Sequence, residues 1–239
     1  MGDSLKSNNN GDPNLKPRIV PLPNGPYYLI NDPNPKVVYN LQDFKGKPLS
    51  TIVGIALCRC GSSKNKPFCD GTHSVVGFSS GNKTVIENDE TNKITIKDKR
   101  RDYVGKKIVV HDNRKICSHA AECVKNLPSV FQLGSRPWIN SDGSNVNELI
   151  DTIRKCPSGA LSYSIDGVEH RDPDEHRDPA ITVLKNGPYH ITGGIELIGD
   201  GIQFGEGASK EHYTLCRCGA SENKPFCDGQ HSKIDFKDD

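Results

Sequence analysis

The run C-R-C-G-S-S-K-N-K-P-F-C-D-G-T-H occupies positions 58–73, and its near-copy C-R-C-G-A-S-E-N-K-P-F-C-D-G-Q-H occupies 216–231. Each copy sets three cysteines and one histidine in the spacing C-x-C-x8-C-x3-H. Cys58, Cys60, Cys69 and His73 form the first set; Cys216, Cys218, Cys227 and His231 form the second. In an extended segment, residues i and i+2 point to the same side, so Cys58 and Cys60 can aim two sulfurs at one object while Arg59 faces away. On a helix, i and i+4 share a face, which is the spacing of Cys69 and His73. Asp70 with Gly71 is a suitable helix start, because Asp favours the N-cap. Between the pairs, Pro67 fixes a turn and Gly61 permits close backbone approach. A strand-borne pair and a helix-borne pair can thus converge on one centre.

Spacing alone leaves three readings open. Cys3His is an established zinc ligand set, although zinc pairs usually follow C-x2-4-C rather than C-x-C or C-x8-C. Buried or disulfide-bonded cysteines are the second reading. A [2Fe-2S] cluster with one histidine ligand is the third. The full pattern C-x-C-x2-S-x3-P-x-C-D-G-x-H resembles the CDGSH iron–sulfur family, the mitoNEET-like proteins. Ser63, Pro67, Cys69, Asp70, Gly71 and His73 carry the resemblance in the first copy; Ser221, Pro225, Cys227, Asp228, Gly229 and His231 carry it in the second. It implies a [2Fe-2S] cluster on three cysteines and one histidine in each copy. Thr72 suits the small residue of that pattern, whereas Gln230 departs from it beside the ligands.

Composition bounds the rest. A chain of 239 residues suits one or two domains. The net charge of +1 gives no field for nucleic acid or an acidic membrane surface. Hydrophobic content is only 33%, so the core is limited and bound metal can supply stability. The 16 prolines and 23 glycines predict many turns and few long helices. No apolar run is long enough to span a membrane, and the first residues lack a signal-peptide core. The nine cysteines fall into three sets of three, which metal ligation in a reducing compartment explains better than disulfides. The expected location is cytoplasmic.

In chain order, residues 1–17 read as a disordered tail. The first CDGSH module is expected over 18–82 and the second over 180–239. N-G-P-Y at 24–27 returns at 186–189, each time after a short apolar run, so both modules open with strand, turn, strand. A loop then leads to a strand ending in C-R-C (30–50 and 192–211 are the loops). The resemblance implies a family that forms homodimers, so two modules in one chain imply an intramolecular pseudo-dimer and a monomer with an internal pseudo-two-fold. The fold class is α+β: two small, mostly-β modules with an inserted α+β domain.

That insert spans 83–166. It opens on a hairpin around Glu90-Thr91-Asn92 and continues with a strand at 107–110. Val146, Leu149, Ile150 and Ile153 then predict an amphipathic helix over 145–155 capped by Ser144. Cys117, Ala120 and Cys123 fall on the C-x2-C-x2-C register of bacterial ferredoxins, with Ala120 in place of the second cysteine and Cys156-Pro157 as the distant element. The region resembles single-cluster ferredoxins. Cys117, Cys123 and Cys156 suit a [3Fe-4S] cluster; a [4Fe-4S] cluster needs a fourth ligand from His119, water or elsewhere. Three unligated, packed cysteines are the bland alternative.

Other features carry no function. The doubled E-H-R-D-P within 169–180 reads as part of a charged linker over 167–179 rather than a metal tract. Trp138 reads as packing. His111, His190 and His212 lack ligand spacing, and Lys66 and Lys224 either tune cluster charge or are solvated. No catalytic acid–base pair is visible, so the expectation is not an enzyme. It is an electron carrier or a store and donor of clusters, whose partner is a redox protein or an apo acceptor. A zinc-stabilised binding module and a redox subunit of an oxidoreductase are the alternatives. Each ligating imidazole must be deprotonated, so His73 and His231 are expected points of acid lability.

Overall fold

The computed structural model describes residues 17–30, 40–50, 55–81, 100–173, 176–199 and 201–238. The expected N-terminal tail, residue 17 apart, and the hairpin around Glu90-Thr91-Asn92 lie outside the described residues.

The N-terminal half contributes strands β1 (Arg18–Pro21), β2 (Tyr27–Ile30), β3 (Asn40–Asp43) and β4 (Ala56–Leu57), then the one-turn helix α1 (Thr72–Val75). The insert contributes β5 (Arg100–Val104), β6 (Val109–Asn113), α2 (Glu122–Asn126), α3 (Val146–Arg154), β7 (Leu161–Ile165) and β8 (Val168–His170). The C-terminal half contributes β9 (Ala180–Val183), β10 (Tyr189–Thr192), β11 (Glu196–Leu197), β12 (Tyr213–Leu215) and helix α4 (Gln230–Lys233). The fold is mixed α+β and mostly strand, as expected.

Each N-G-P-Y makes the turn of an antiparallel pair, β1–β2 and β9–β10. Asn24 and Asn186 both take a left-handed conformation with φ of 50°, which Asn tolerates. The two stretches read as loops from sequence each contain a strand. β3 runs parallel to β9 of the other half, and β11 runs parallel to β1. The resulting sheets are β11-β1-β2-β4 and β12-β10-β9-β3. Each half lends a strand to the other. Asn40–Asp43 is short, polar and without apolar alternation, so its pairing is set by the strand it meets.

The exchange merges what sequence read as two modules into one core. Ile19, Tyr27, Leu29 and Leu57 pack in a single cluster with Ile181, Tyr189, Ile191 and Leu215. Tyr27 and Tyr189 meet edge to face at 5.9 Å. A chain with few apolar residues gains buried area by sharing one interior.

The insert has its own sheet, β5-β6-β7-β8, and its own core. Leu149 and Ile153 bury one face of α3 against it, as the i, i+4 spacing requires. The cap differs from expectation: Asn145 Oδ1 accepts from Glu148 N at 3.0 Å, while Ser144 bonds the Glu148 carboxylate. The strand expected at 107–110 lies at Val109–Asn113. The charged tract begins inside β8, where Tyr163 pairs with His170, so the chain is not linker from 167 onward.

Candidate metal centres

The two CDGSH loops are built alike. Cys58 N donates to Pro67 O at 2.7 Å, and Cys69 N donates to Ala56 O at 2.8 Å. Cys216 N donates to Pro225 O at 2.8 Å, and Cys227 N to Thr214 O at 3.0 Å. These bonds lash the C-R-C strand end to the distal cysteine. Inside each loop a serine closes the turn, with Ser63 Oγ donating to Phe68 O at 2.6 Å and Ser221 Oγ to Phe226 O at 2.7 Å.

Asp70 shapes the approach to the histidine. Its Oδ1 accepts from Thr72 N at 3.0 Å and its Oδ2 from Lys64 N at 2.8 Å. The Lys64 and Thr72 N–H groups hold this carboxyl well below the usual carboxylate range. Asp228 makes the same two bonds, to Gln230 N and Glu222 N. The helix begins later than sequence predicts: Gly71 and Gly229 are the N-caps, at φ of 87° and 84°. Cys69 and Cys227 therefore sit before the helix, and the aspartate organises its start without being its cap.

The ligand atoms stand in pairs. Cys58 and Cys60 sulfurs are 3.8 Å apart, and Cys216 and Cys218 sulfurs 3.7 Å. Cys69 Sγ lies 3.3 Å from His73 Nδ1, and Cys227 Sγ lies 3.4 Å from His231 Nδ1. A tetrahedral metal with metal–sulfur bonds of about 2.3 Å has ligand sulfurs about 3.8 Å apart, and a sulfur–nitrogen edge is slightly shorter. Each pair thus has the bite of one tetrahedral metal. Among the described residues, no three His, Cys, Asp or Glu groups converge on a single ion position. Each loop therefore presents two ligand pairs, one Cys–Cys and one Cys–His.

Backbone N–H groups already face the sulfurs. Ser62 N donates to Cys60 Sγ, Gly71 N to Cys69 Sγ and Gly229 N to Cys227 Sγ, at 3.4 to 3.5 Å. Such bonds stabilise anionic sulfur. Burial pushes the Cys227 and Cys60 thiols up, so without a metal these groups are held as thiols.

The arginines between the cysteines face away from the sulfurs, as expected, but they do not reach solvent. Arg59 lies over the Tyr27 ring at 5.1 Å, and Arg217 lies over Tyr189 at 5.6 Å. Arg217 also pairs with Asp238 and donates to Gly187 O. Each tyrosine hydroxyl crosses to the opposite loop. Tyr27 Oη donates to Cys216 O and Pro225 O at 2.9 and 2.8 Å; Tyr189 Oη donates to Cys58 O and Pro67 O at 2.8 and 3.0 Å. Sequence reading missed these tyrosines. Their repetition in N-G-P-Y was the signal, but its meaning needs the strand exchange.

The insert brings its three cysteines together. Cys117, Cys123 and Cys156 line one cavity with Asp112, Arg114, Ala120, Ala121 and Trp138. Cys117 follows a short 3-10 turn, Cys123 stands in the first turn of α2, and Cys156 closes the end of α3. Burial pushes Cys117 up to about 11, with the neighbouring Cys156 adding to it. Burial and Cys156 likewise raise Cys123. Three thiols, one buried and two partly buried, line this one cavity and suit a cluster. His119 is not on that wall. Its ring lies against Gly229 of the second CDGSH loop.

Trp138 packs against Phe131 and Tyr103, as expected of a packing residue. Its Nε1 also donates to Asp112. His111 is bonded by Asp102 and Ser164, and His212 by Ser209. Among the described residues no helix is long and apolar enough to cross a membrane.

Comparison with known families agrees with this division of the chain. The profile described as iron-binding zinc finger CDGSH type matches residues 24–74 and again 186–232. The profile described as divergent 4Fe-4S mono-cluster matches residues 103–166 between them. Uncharacterized protein YjdI of Escherichia coli (strain K12) is 43% identical over 63 residues, which is 26% of this chain and 83% of that protein. The YjdI of Escherichia coli O157:H7 matches to the same extent. No solved structure matches.

Proposed function

The chain is an iron–sulfur protein of the CDGSH iron-binding family, with two CDGSH modules flanking a divergent 4Fe-4S mono-cluster domain, and on that premise we propose that it carries three clusters and works as an electron carrier or cluster donor. Cys58, Cys60, Cys69 and His73 hold one [2Fe-2S] cluster; Cys216, Cys218, Cys227 and His231 hold the other. Cys117, Cys123 and Cys156 hold the third. The pairing of ligand atoms in each CDGSH loop supports this reading most directly.

The clusters supply one-electron chemistry when bound, and the protein tunes it. A neutral imidazole in place of one thiolate makes the site less negative and raises its potential. The strand exchange and the reciprocal tyrosine bonds support an intramolecular pseudo-dimer, in which each half buttresses the other half's loop. Its partners are a redox protein or an apo acceptor in the cytoplasm, and the chain itself catalyses no reaction on a substrate.

Iron, zinc and sulfide counts with EPR on anaerobically purified protein test the reading. It predicts iron and sulfide in equal amounts, no stoichiometric zinc, and dithionite-bleached visible bands. A colourless protein with stoichiometric zinc contradicts it. Transfer of iron to an apo acceptor, set against reduction by a reductase, then separates donor from carrier.

A further inference from the structure

We infer that Asp112 is the fourth protein ligand of the middle site, which therefore takes a four-iron cluster on three thiolates and one carboxylate. The inference rests on the reading of the middle domain as a cluster site. Three cysteines leave one iron of a four-iron cluster without a protein donor. At the place where ferredoxin spacing puts the missing cysteine stands the methyl group of Ala120. His119, the nearest alternative, covers Gly229 and does not line the cavity.

Asp112 does line it, from β6, beside Cys117, Cys123 and Cys156. It is 1% exposed. Its Oδ2 accepts from Trp138 Nε1 at 3.1 Å and lies 3.9 Å from Arg114, which fixes the carboxylate plane. Its Oδ1 is buried and makes no hydrogen bond among the described residues. A buried carboxylate oxygen left without a partner is costly, on the order of several kcal/mol. Ligation to iron satisfies that oxygen while the other stays with Trp138. Glu122, the other carboxylate on the wall, is engaged by Asn126 Nδ2 at 3.2 Å. Burial also raises the Asp112 carboxyl to about 6, against the pull of Arg114 and the Trp138 hydrogen bond. An oxygen donor is harder than thiolate, so the iron it holds is the one most readily lost.

The test uses the full-length chain, purified anaerobically, as wild type, Asp112→Asn and Asp112→Cys. Asparagine keeps the size and the Trp138 bond but is a far poorer ligand. Iron per chain and EPR of the oxidised and dithionite-reduced forms are recorded. The wild type is expected to show a four-iron middle cluster, silent when oxidised. Asp112→Asn is expected to lose about one iron per chain and to gain the oxidised three-iron signal. Asp112→Cys is expected to keep four irons and to change the reduced spectrum. Asp112→Asn with wild-type iron and an unchanged reduced spectrum overturns the inference. If that variant does not fold, an unchanged reduced spectrum in Asp112→Cys overturns it instead. A wild-type middle cluster that stays at three irons under anaerobic iron and reductant overturns the inference but leaves the cluster reading standing. Iron sufficient only for the two CDGSH sites, with no middle-site signal, overturns both.

Discussion

One sixteen-residue loop occurs twice in this protein and meets two different neighbourhoods. In the first copy Cys60 and Cys69 are partly exposed; in the second Cys216, Cys218 and Cys227 are all buried. Pro67, Phe68 and Gly71 are at least partly open, whereas Pro225, Phe226 and Gly229 are buried. The two loops share their main internal bonds, so the difference is traced to what lies on top. His119 covers Gly229, Asn223 Nδ2 reaches Lys115 O at 3.1 Å, and Phe204 packs on Phe226 at 5.0 Å. Over Gly71, no described atom lies within 4 Å of where a Cβ would stand. Beyond it Val75 is 87% exposed. Identical ligand sequences therefore make one open centre and one sheltered by the middle domain.

Substituting the two helix-cap glycines breaks the comparison most sharply. Both have positive φ, so alanine costs each about 1 kcal/mol in backbone strain. At Gly229 a Cβ also overlaps the His119 ring. Gly229→Ala should destabilise by about 3 kcal/mol, and Gly71→Ala by only the strain. Denaturant unfolding of the two variants, followed by visible absorbance, checks the difference. Equal losses would mean that His119 offers no real obstacle.

A second contrast lies in the strand after N-G-P-Y, where Tyr28 is exposed and its counterpart His190 has a sealed Nε2 without a hydrogen-bond partner among the described residues. Burial holds His190 down to about 4, with His212 and Arg177 adding to the effect. The unfolded chain binds this proton near pH 6.5 and the folded chain only near 4. Stability from this group is complete above about pH 6.5 and is lost as pH falls toward 4, in total about 3 kcal/mol. His190→Phe should flatten that part of the pH profile. An unchanged slope between pH 6.5 and 4 would remove His190 from the account.

The smallest effects sharpen the pairing of the halves. Burial keeps both tyrosine hydroxyls protonated far above their ordinary range. Tyr27→Phe should cost about 1 kcal/mol and perturb the spectrum of the C-terminal centre. Tyr189→Phe should perturb the N-terminal one. A change confined to the variant's own half would contradict the crossed bonds.

Much of this was legible in sequence. The cysteine–histidine spacing located both loops, N-G-P-Y located both hairpins, and the i, i+3, i+4 pattern of Val146, Leu149, Ile150 and Ile153 located α3. What sequence hid was long-range. Asn40–Asp43 and Glu196–Leu197 are too short and polar to show as strands, because their partners lie in the other half. His119 read as a possible ligand because spacing cannot show which way a ring turns. Asp112 gave no signal at all, since a lone aspartate in a strand announces itself only when its burial and missing hydrogen bond are known.

The unequal cover of the two CDGSH centres is tested most directly by following iron loss to a strong chelator at neutral pH. Wild type is measured beside His73→Cys and His231→Cys, each of which replaces one imidazole by a thiolate. The account predicts two phases in the CDGSH absorbance, the faster at least about tenfold quicker, with the fast phase altered by His73→Cys and the slow phase by His231→Cys. A single phase, or a fast phase that responds to His231→Cys, would contradict it.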